Sequence, residues 1–219
     1  MKDLKGIKGK YYIASLIEEG EHEHQDFKFA ISDARKIARS LSAFANNDGG
    51  RLLIGVKDNG AIAGVRNEED IYLVEQAAEM YCIPPQQLRV TAFKTDGGHT
   101  VIRVEIDRAS TRPVQVKEAE GRLRAYYRVK DENIAAPPLL VKAWQRAARQ
   151  SSGTMLGIDH HGQHLLRMAS DDNGVILEDF MVEAHISRAM AEELAINLYC
   201  MGVIDFRYDG SRFTIVCSD

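Results

Sequence analysis

The chain has 219 residues, 45% of them hydrophobic, a net charge of −4 and three cysteines. That leaves room for one mid-sized domain and a small one. No apolar run approaches the ~20 residues of a membrane helix, the first residues lack the apolar core of a signal peptide, and three scattered cysteines argue against a disulfide framework. A reducing, cytoplasmic compartment is expected. Residues 155–219 hold four arginines against eleven acids, a net of −7, which leaves +3 for residues 1–154. A polyanion should therefore prefer the first part of the chain.

In "HQDFKFA" (residues 24–30) alternation places Phe27 and Phe29 on one strand face and Asp26 and Lys28 on the other. Ser32 is the expected N-cap of a helix. In it Ala34, Ile37, Ala38, Leu41, Phe44 and Ala45 recur at helical spacing, Arg35, Lys36 and Arg39 lie opposite, and "NNDGG" (46–50) closes it. "RLLIGVKD" predicts a buried strand, and Asn59-Gly60 a hairpin turn. A helix is expected from about Glu68 to Tyr81, ended by Pro84-Pro85, and then a hairpin about Asp96-Gly97-Gly98. "PVQVK" and "GRLRAYYRVKD" read as two more strands, and Pro137-Pro138 opens a helix running to about Arg149. These elements make an α+β domain over 1–148, a mostly antiparallel sheet with flanking helices. A polar linker is expected at 149–154. Residues 155–219 follow with helices near 160–169, 178–185 and 187–201 and a hairpin turning at Asp209-Gly210, the order of a small winged helix-turn-helix.

Gly55 to Gly60 has the spacing of a phosphate loop, but Ala61-Ile62 stand where Lys and Ser or Thr are needed, and the loop enters a hairpin rather than a helix. ATP binding is therefore not expected. His22/His24 and His160/His161/His164 complete no recognised metal-ligand spacing. Glu21, Asp26 and Asp58 are different: pairing of their strands could gather three carboxylates, the ligand type that Mg²⁺ or Mn²⁺ takes. In the strand "GRLRAYYRVK" the even positions read Arg122, Arg124, Tyr126, Arg128 and Lys130, and the odd positions Leu123, Ala125, Tyr127 and Val129. Alternation predicts an exposed face of four cations around Tyr126, suited to phosphates with a base stacked on the ring, extended by Arg108, Arg112 and Lys117. The expected recognition helix, 187–201, carries Arg188 but also Glu192 and Glu193, which suits a protein partner better than DNA.

Asp26-Phe27-Lys28, "AFANNDGG", "LLIGV", "KDNGAIAGV" and "YYRVKDENIAAP" together resemble the Schlafen/AlbA-like (divergent AAA-4) family over residues ~20 to 137. The resemblance implies an α+β nucleic-acid-associated domain, in bacteria often joined to a helix-turn-helix in transcriptional regulators. It further implies, from animal relatives, a metal-dependent ribonuclease triad carried onto Glu21, Asp26 and Asp58. Here Asp26 stands where the family has glutamate, and Lys57 takes one position of its acidic pair. The expectation is a bacterial nucleic-acid-binding regulator rather than an enzyme. DNA or RNA would be held by Arg112, Lys117, Arg122, Arg124, Tyr126, Arg128 and Lys130, with no cofactor required, no membrane, and a homodimer built through the acidic C-terminal domain. The alternative is a Mg²⁺- or Mn²⁺-dependent endoribonuclease using Glu21, Asp26 and Asp58.

Overall fold

In the computed structural model, which describes residues 7–65, 69–149 and 157–218, contacts divide the chain between Ala136 and Pro137. The first unit runs β1 (Ile7–Lys8), α1 (Lys10–Glu19), β2 (Gln25–Lys28), α2 (Ala34–Asn46), β3 (Gly50–Ile54) and α3 (Glu69–Gln76), which continues into a π-helical turn, Ala77–Tyr81. It goes on through β4 (Cys82–Ile83), β5 (Arg89–Lys94), β6 (Thr100–Ile106), β7 (Gln115–Lys117), β8 (Leu123–Val129) and β9 (Glu132–Ala135). One sheet is five-stranded in the order β1-β5-β6-β3-β2, parallel at β1–β5 and β2–β3 and antiparallel elsewhere. The other is antiparallel, β4-β7-β8-β9. The architecture is α+β, as the periodicities predict.

Strand alternation explains the layers. Leu52, Ile54, Ala92, Ile102 and Val104 face α2, while Leu53, Phe93 and Val101 face Ile13 and Leu16 of α1. On its other side α2 meets the four-stranded sheet, so ten of its thirteen residues are buried rather than one stripe. Its N-cap is Asp33, which accepts from the Arg35 amide, not Ser32 as expected. Past its end, Gly49 has φ +79°, and a Cβ there would lie 2.8 Å from the Ile106 carbonyl oxygen, so only glycine fits. The Asn59-Gly60 turn forms as expected, closed by a single Val56–Ile62 bridge. The expected helix start at Glu68 lies outside the described residues; the described helix begins at Glu69. Sequence periodicity did not predict α1, β1, β4 or β9.

The second unit contains α4 (Pro138–Arg149), α5 (His160–Ala169), α6 (Leu177–Ala184), α7 (Arg188–Cys200) and the hairpin β10 (Ile204–Tyr208)–β11 (Phe213–Cys217). Val175 adds a bridge to Ile215 of β11. The helix expected to close the first domain, α4, falls with this unit. Lys142 and Arg146 on α4 pair with Glu192 and Glu193 on α7 at 2.5 and 2.6 Å. Residues 150–154 of the expected linker lie outside the described residues. Among the described residues no helix is long and apolar enough to cross a membrane.

Candidate functional site

The face of β8 expected to carry cations into solvent is turned inward at its C-terminal half. Tyr126 is 7% exposed and Arg128 1%, whereas Leu123, assigned by alternation to the buried face, is 48% exposed. The cause is α2, which lies over this face. Tyr126 and Arg128 are therefore not a base platform and a phosphate ligand. The Tyr126 hydroxyl donates to Glu118, and burial followed by that carboxylate raises the phenol above its ordinary value. The Arg128 guanidinium donates to Asn133 Oδ1 at 2.9 Å and to the carbonyls of His22 and Gln25. It lies 5.1 Å from the Phe44 ring centroid and 3.7 Å from Asp26.

The "NNDGG" segment is held by hydrogen bonds, not only by turn chemistry. β7 pairs with β8 only through Ala125, which leaves the next residues of β8 without a strand on that side. Side chains of α2 fill the gap. Ser42 accepts from the Tyr126 amide, and Asn46 donates to the Tyr126 carbonyl while bonding both the amide and the carbonyl of Val114. The Asn47 amide group bonds both N–H and C=O of Arg128, as a paired strand residue would. Sequence reasoning missed this role. The available signal was the polar pair Ser42 and Asn46, one helical turn apart within an apolar stretch.

Beneath Arg128 lies a carboxyl pair. Glu21 accepts from the Phe27 amide at 2.8 Å and hydrogen-bonds Asp26. Asp26 also meets Lys28 Nζ at 2.8 Å and the Ser40 hydroxyl at 3.3 Å. Burial, then the Asp26 carboxylate, pushes the Glu21 carboxyl above its ordinary range. Burial also opposes ionisation of Asp26, but the hydrogen bond from Glu21 and the Lys28 ammonium outweigh it and hold that group low. The pair thus keeps one proton on Glu21 and one charge on Asp26 over an intermediate pH range.

Two of the three expected acids meet; the third does not join them. Asp58 is exposed in the turn beyond β3. Among the described residues no group of three His, Cys, Asp or Glu side chains could share a metal ion. Lys28 and Arg128 already stand on Asp26, so a Mg²⁺ or Mn²⁺ ion would meet two fixed cations there. This donor set does not fit the metal centre that the resemblance implies.

The exposed cations lie at the other end of β8. Arg122, Arg124 and Lys117 are exposed, and Arg122 meets Glu120 at 3.2 Å. Arg39 reaches Glu118 through two hydrogen bonds of 2.8 and 2.7 Å, which hold that carboxyl below its ordinary range. Arg35 lies one turn before Arg39 on the same helix face, with Lys36 exposed beside it. Lys130 is exposed after β8, its amide near Glu23 at 3.4 Å; Arg112, half-buried, donates to the Asn46 carbonyl.

The family model described as "Schlafen, AlbA_2" matches residues 21–137, more than half of the chain. The chain belongs to the Schlafen, AlbA_2 family. The matched segment takes in both sheets except β1, together with α2, the Glu21–Asp26 pair and the exposed arginines of β8. α1 and the second unit lie outside it. A search of curated proteins found no match. Among solved structures this Schlafen, AlbA_2 chain is similar to the DIP2311 protein of Corynebacterium diphtheriae, at 20% identity and a TM-score of 0.44. That alignment covers 88% of this chain and 34% of that one, so this chain spans about a third of its length. It is also similar to the N-terminal domain of a RecG-related protein from Nitrosomonas europaea. There the identity is 20% and the TM-score 0.42, covering 71% of this chain and 97% of that one.

Proposed function

We propose that this Schlafen, AlbA_2 chain is a nucleic-acid-binding protein of the transcriptional-regulator type, and that its first unit holds the phosphate backbone. The supporting observation is the cluster of Arg122, Arg124 and Lys117 beside Arg35, Lys36 and Arg39, where Glu118, Glu120 and Asp33 are the acids that meet it. Six cations against three acids attract a polyanion, and counterion release makes such binding steeply salt-dependent. Arg122→Glu with Arg124→Glu should abolish binding to mixed DNA or RNA in fluorescence anisotropy at low salt. Unchanged affinity would refute the assignment. Arg128 takes no part in this interface, because its guanidinium is buried.

We read the second unit as a winged helix that serves assembly. Its three helices α5–α7 and hairpin stand in that order, yet α7, the helix such a module would present to DNA, is occupied. Arg188 is held by Glu178 and Glu192, and Glu192 and Glu193 are held from α4. A homodimer through this unit is part of the proposal; light scattering on the full chain would show twice the monomer mass, and a monomer at all concentrations would overturn it. The ribonuclease alternative predicts Mn²⁺-dependent cleavage of tRNA lost in Asp58→Ala. The occupied carboxyl pair favours intact RNA instead.

A further inference from the structure

A second basic surface lies away from the β8 arginines, at the β1 edge of the five-stranded sheet. A cleft of about 640 Å³ is lined there by Lys8, Lys10, Tyr11, Tyr12, Lys94 and Asp96, with Gly9 and Thr95 completing its wall. Register sets Lys8 directly opposite Lys94 on paired strands. Two like charges on facing positions repel, a placement that an anion between them relieves. Lys10, 5.5 Å from the Tyr11 ring centroid, pairs with Asp96, the acid of the cleft, so three lysines face one carboxylate. Tyr11 is 84% exposed. Its neighbour Tyr12 is engaged by Arg103, whose guanidinium lies 5.2 Å from the ring centroid and donates to the hydroxyl. An unpacked aromatic ring among lysines is the arrangement that binds single strands, the ring stacking a base and the ammonium groups holding flanking phosphates.

We infer that this cleft binds a single-stranded nucleic-acid segment, with Lys8, Lys94 and Lys10 on phosphates and Tyr11 stacked on one base. Beside the lysines, Thr95 donates to the His99 carbonyl and Asp96 pairs with Lys10, and the inferred contact is to backbone and base face. The inference rests on the nucleic-acid reading above but not on the Arg122–Arg124 surface.

The test is titration of an oligo(dT) strand carrying one 2-aminopurine with the full-length protein, in the wild type, Lys8→Glu/Lys94→Glu, Tyr11→Ala, Tyr11→Phe and Arg122→Glu/Arg124→Glu. All five substituted positions are exposed, and thermal melting confirms that each variant is folded. The lysine reversal should weaken binding at least about tenfold. Tyr11→Ala should remove the stacking signal of the aminopurine, and Tyr11→Phe should keep it. No binding by the wild type, or unchanged affinity and signal in the lysine and Tyr11→Ala variants, overturns the inference. If the arginine variant alone loses binding, the cleft is refuted while the β8 interface stands. Loss in the lysine and Tyr11→Ala variants alone supports the cleft and removes the β8 arginines from single-strand binding, their part in binding mixed DNA or RNA being decided by the anisotropy test above.

Discussion

Arg128 keeps a guanidinium at 1% exposure, which is tolerable because Asp26 meets its charge and its terminal N–H groups reach Asn133 and the His22 and Gln25 carbonyls, while the buried Nε–H has no partner among the described residues. Removing one side of a buried pair strands the other, so Arg128→Ala should destabilise the protein by about 3–5 kcal/mol, measured by urea unfolding. Arg128→Ala with Asp26→Ala should cost less than the sum of the two single changes, since neither of these two buried charges is then left facing a missing partner. Glu21 and Asp26 also predict pH behaviour of opposite sign. Asp26, held low, contributes stability that is present above its usual 3.8 and is lost as pH falls through its folded value. Glu21, held high, contributes stability that is present below its usual 4.5 and is lost as pH rises through its folded value. Glu21→Gln copies the protonated form, keeping both the acceptor for Phe27 and a donor to Asp26. It should be more stable than the wild type at pH 7, with the gap closing below about pH 4.5 in urea midpoints.

Most elements could be read from the sequence because their signals are local. α2 and α4–α7 show apolar spacing of 3.6 residues or clear caps, Asp159 and Ser187 among them, and the Asp96-Gly97-Gly98 and Asp209-Gly210 turns place two hairpins. α1 was not legible: its N-cap is Gly9, with no side-chain capping bond, and its buried residues are Ile13 and Leu16. The inversion of β8 was not legible either. Alternation reports that a strand has two faces, but which face is covered depends on α2, about eighty residues earlier in the chain. For the same reason Glu21 and Asp26 could be placed together from the expected strand pairing and the family motif, against their odd spacing of five, whereas the contact of Arg128 with Asp26 could not. Asn46 shows what the covering helix is for. Asn46→Ala leaves the Val114 amide and carbonyl and the Tyr126 carbonyl without these partners, and should cost roughly 2–4 kcal/mol by denaturant unfolding. Val114 and Tyr126 are both buried, so water cannot readily replace the lost bonds.

Across the whole chain it is the cations that are unevenly spread, 24 of 28 lying in residues 1–154, and the pairing of the four that remain beyond them follows that division. On the hairpin of the second unit Arg207 donates to the Asp172 carbonyl and Arg212 meets Asp209 at 3.6 Å. These arginines are engaged by the unit's own acidic surroundings. Arg207→Glu with Arg212→Glu should therefore leave anisotropy affinity for mixed DNA within about twofold of wild type, against the loss expected at Arg122 and Arg124. A comparable loss from the hairpin pair would move the interface to the second unit.

The bonds from α2 and its C-cap Asn47 to β8 and to Val114 make three backbone amides unusual witnesses. Val114, Tyr126 and Arg128 donate to Asn46, Ser42 and Asn47 side chains, so their protons are shielded by a helix rather than by a neighbouring strand. In hydrogen–deuterium exchange these three sites should open together whenever the helix lifts from the sheet, even while the strand ladders on either side stay closed. They would time the parting of helix and sheet directly, apart from global unfolding.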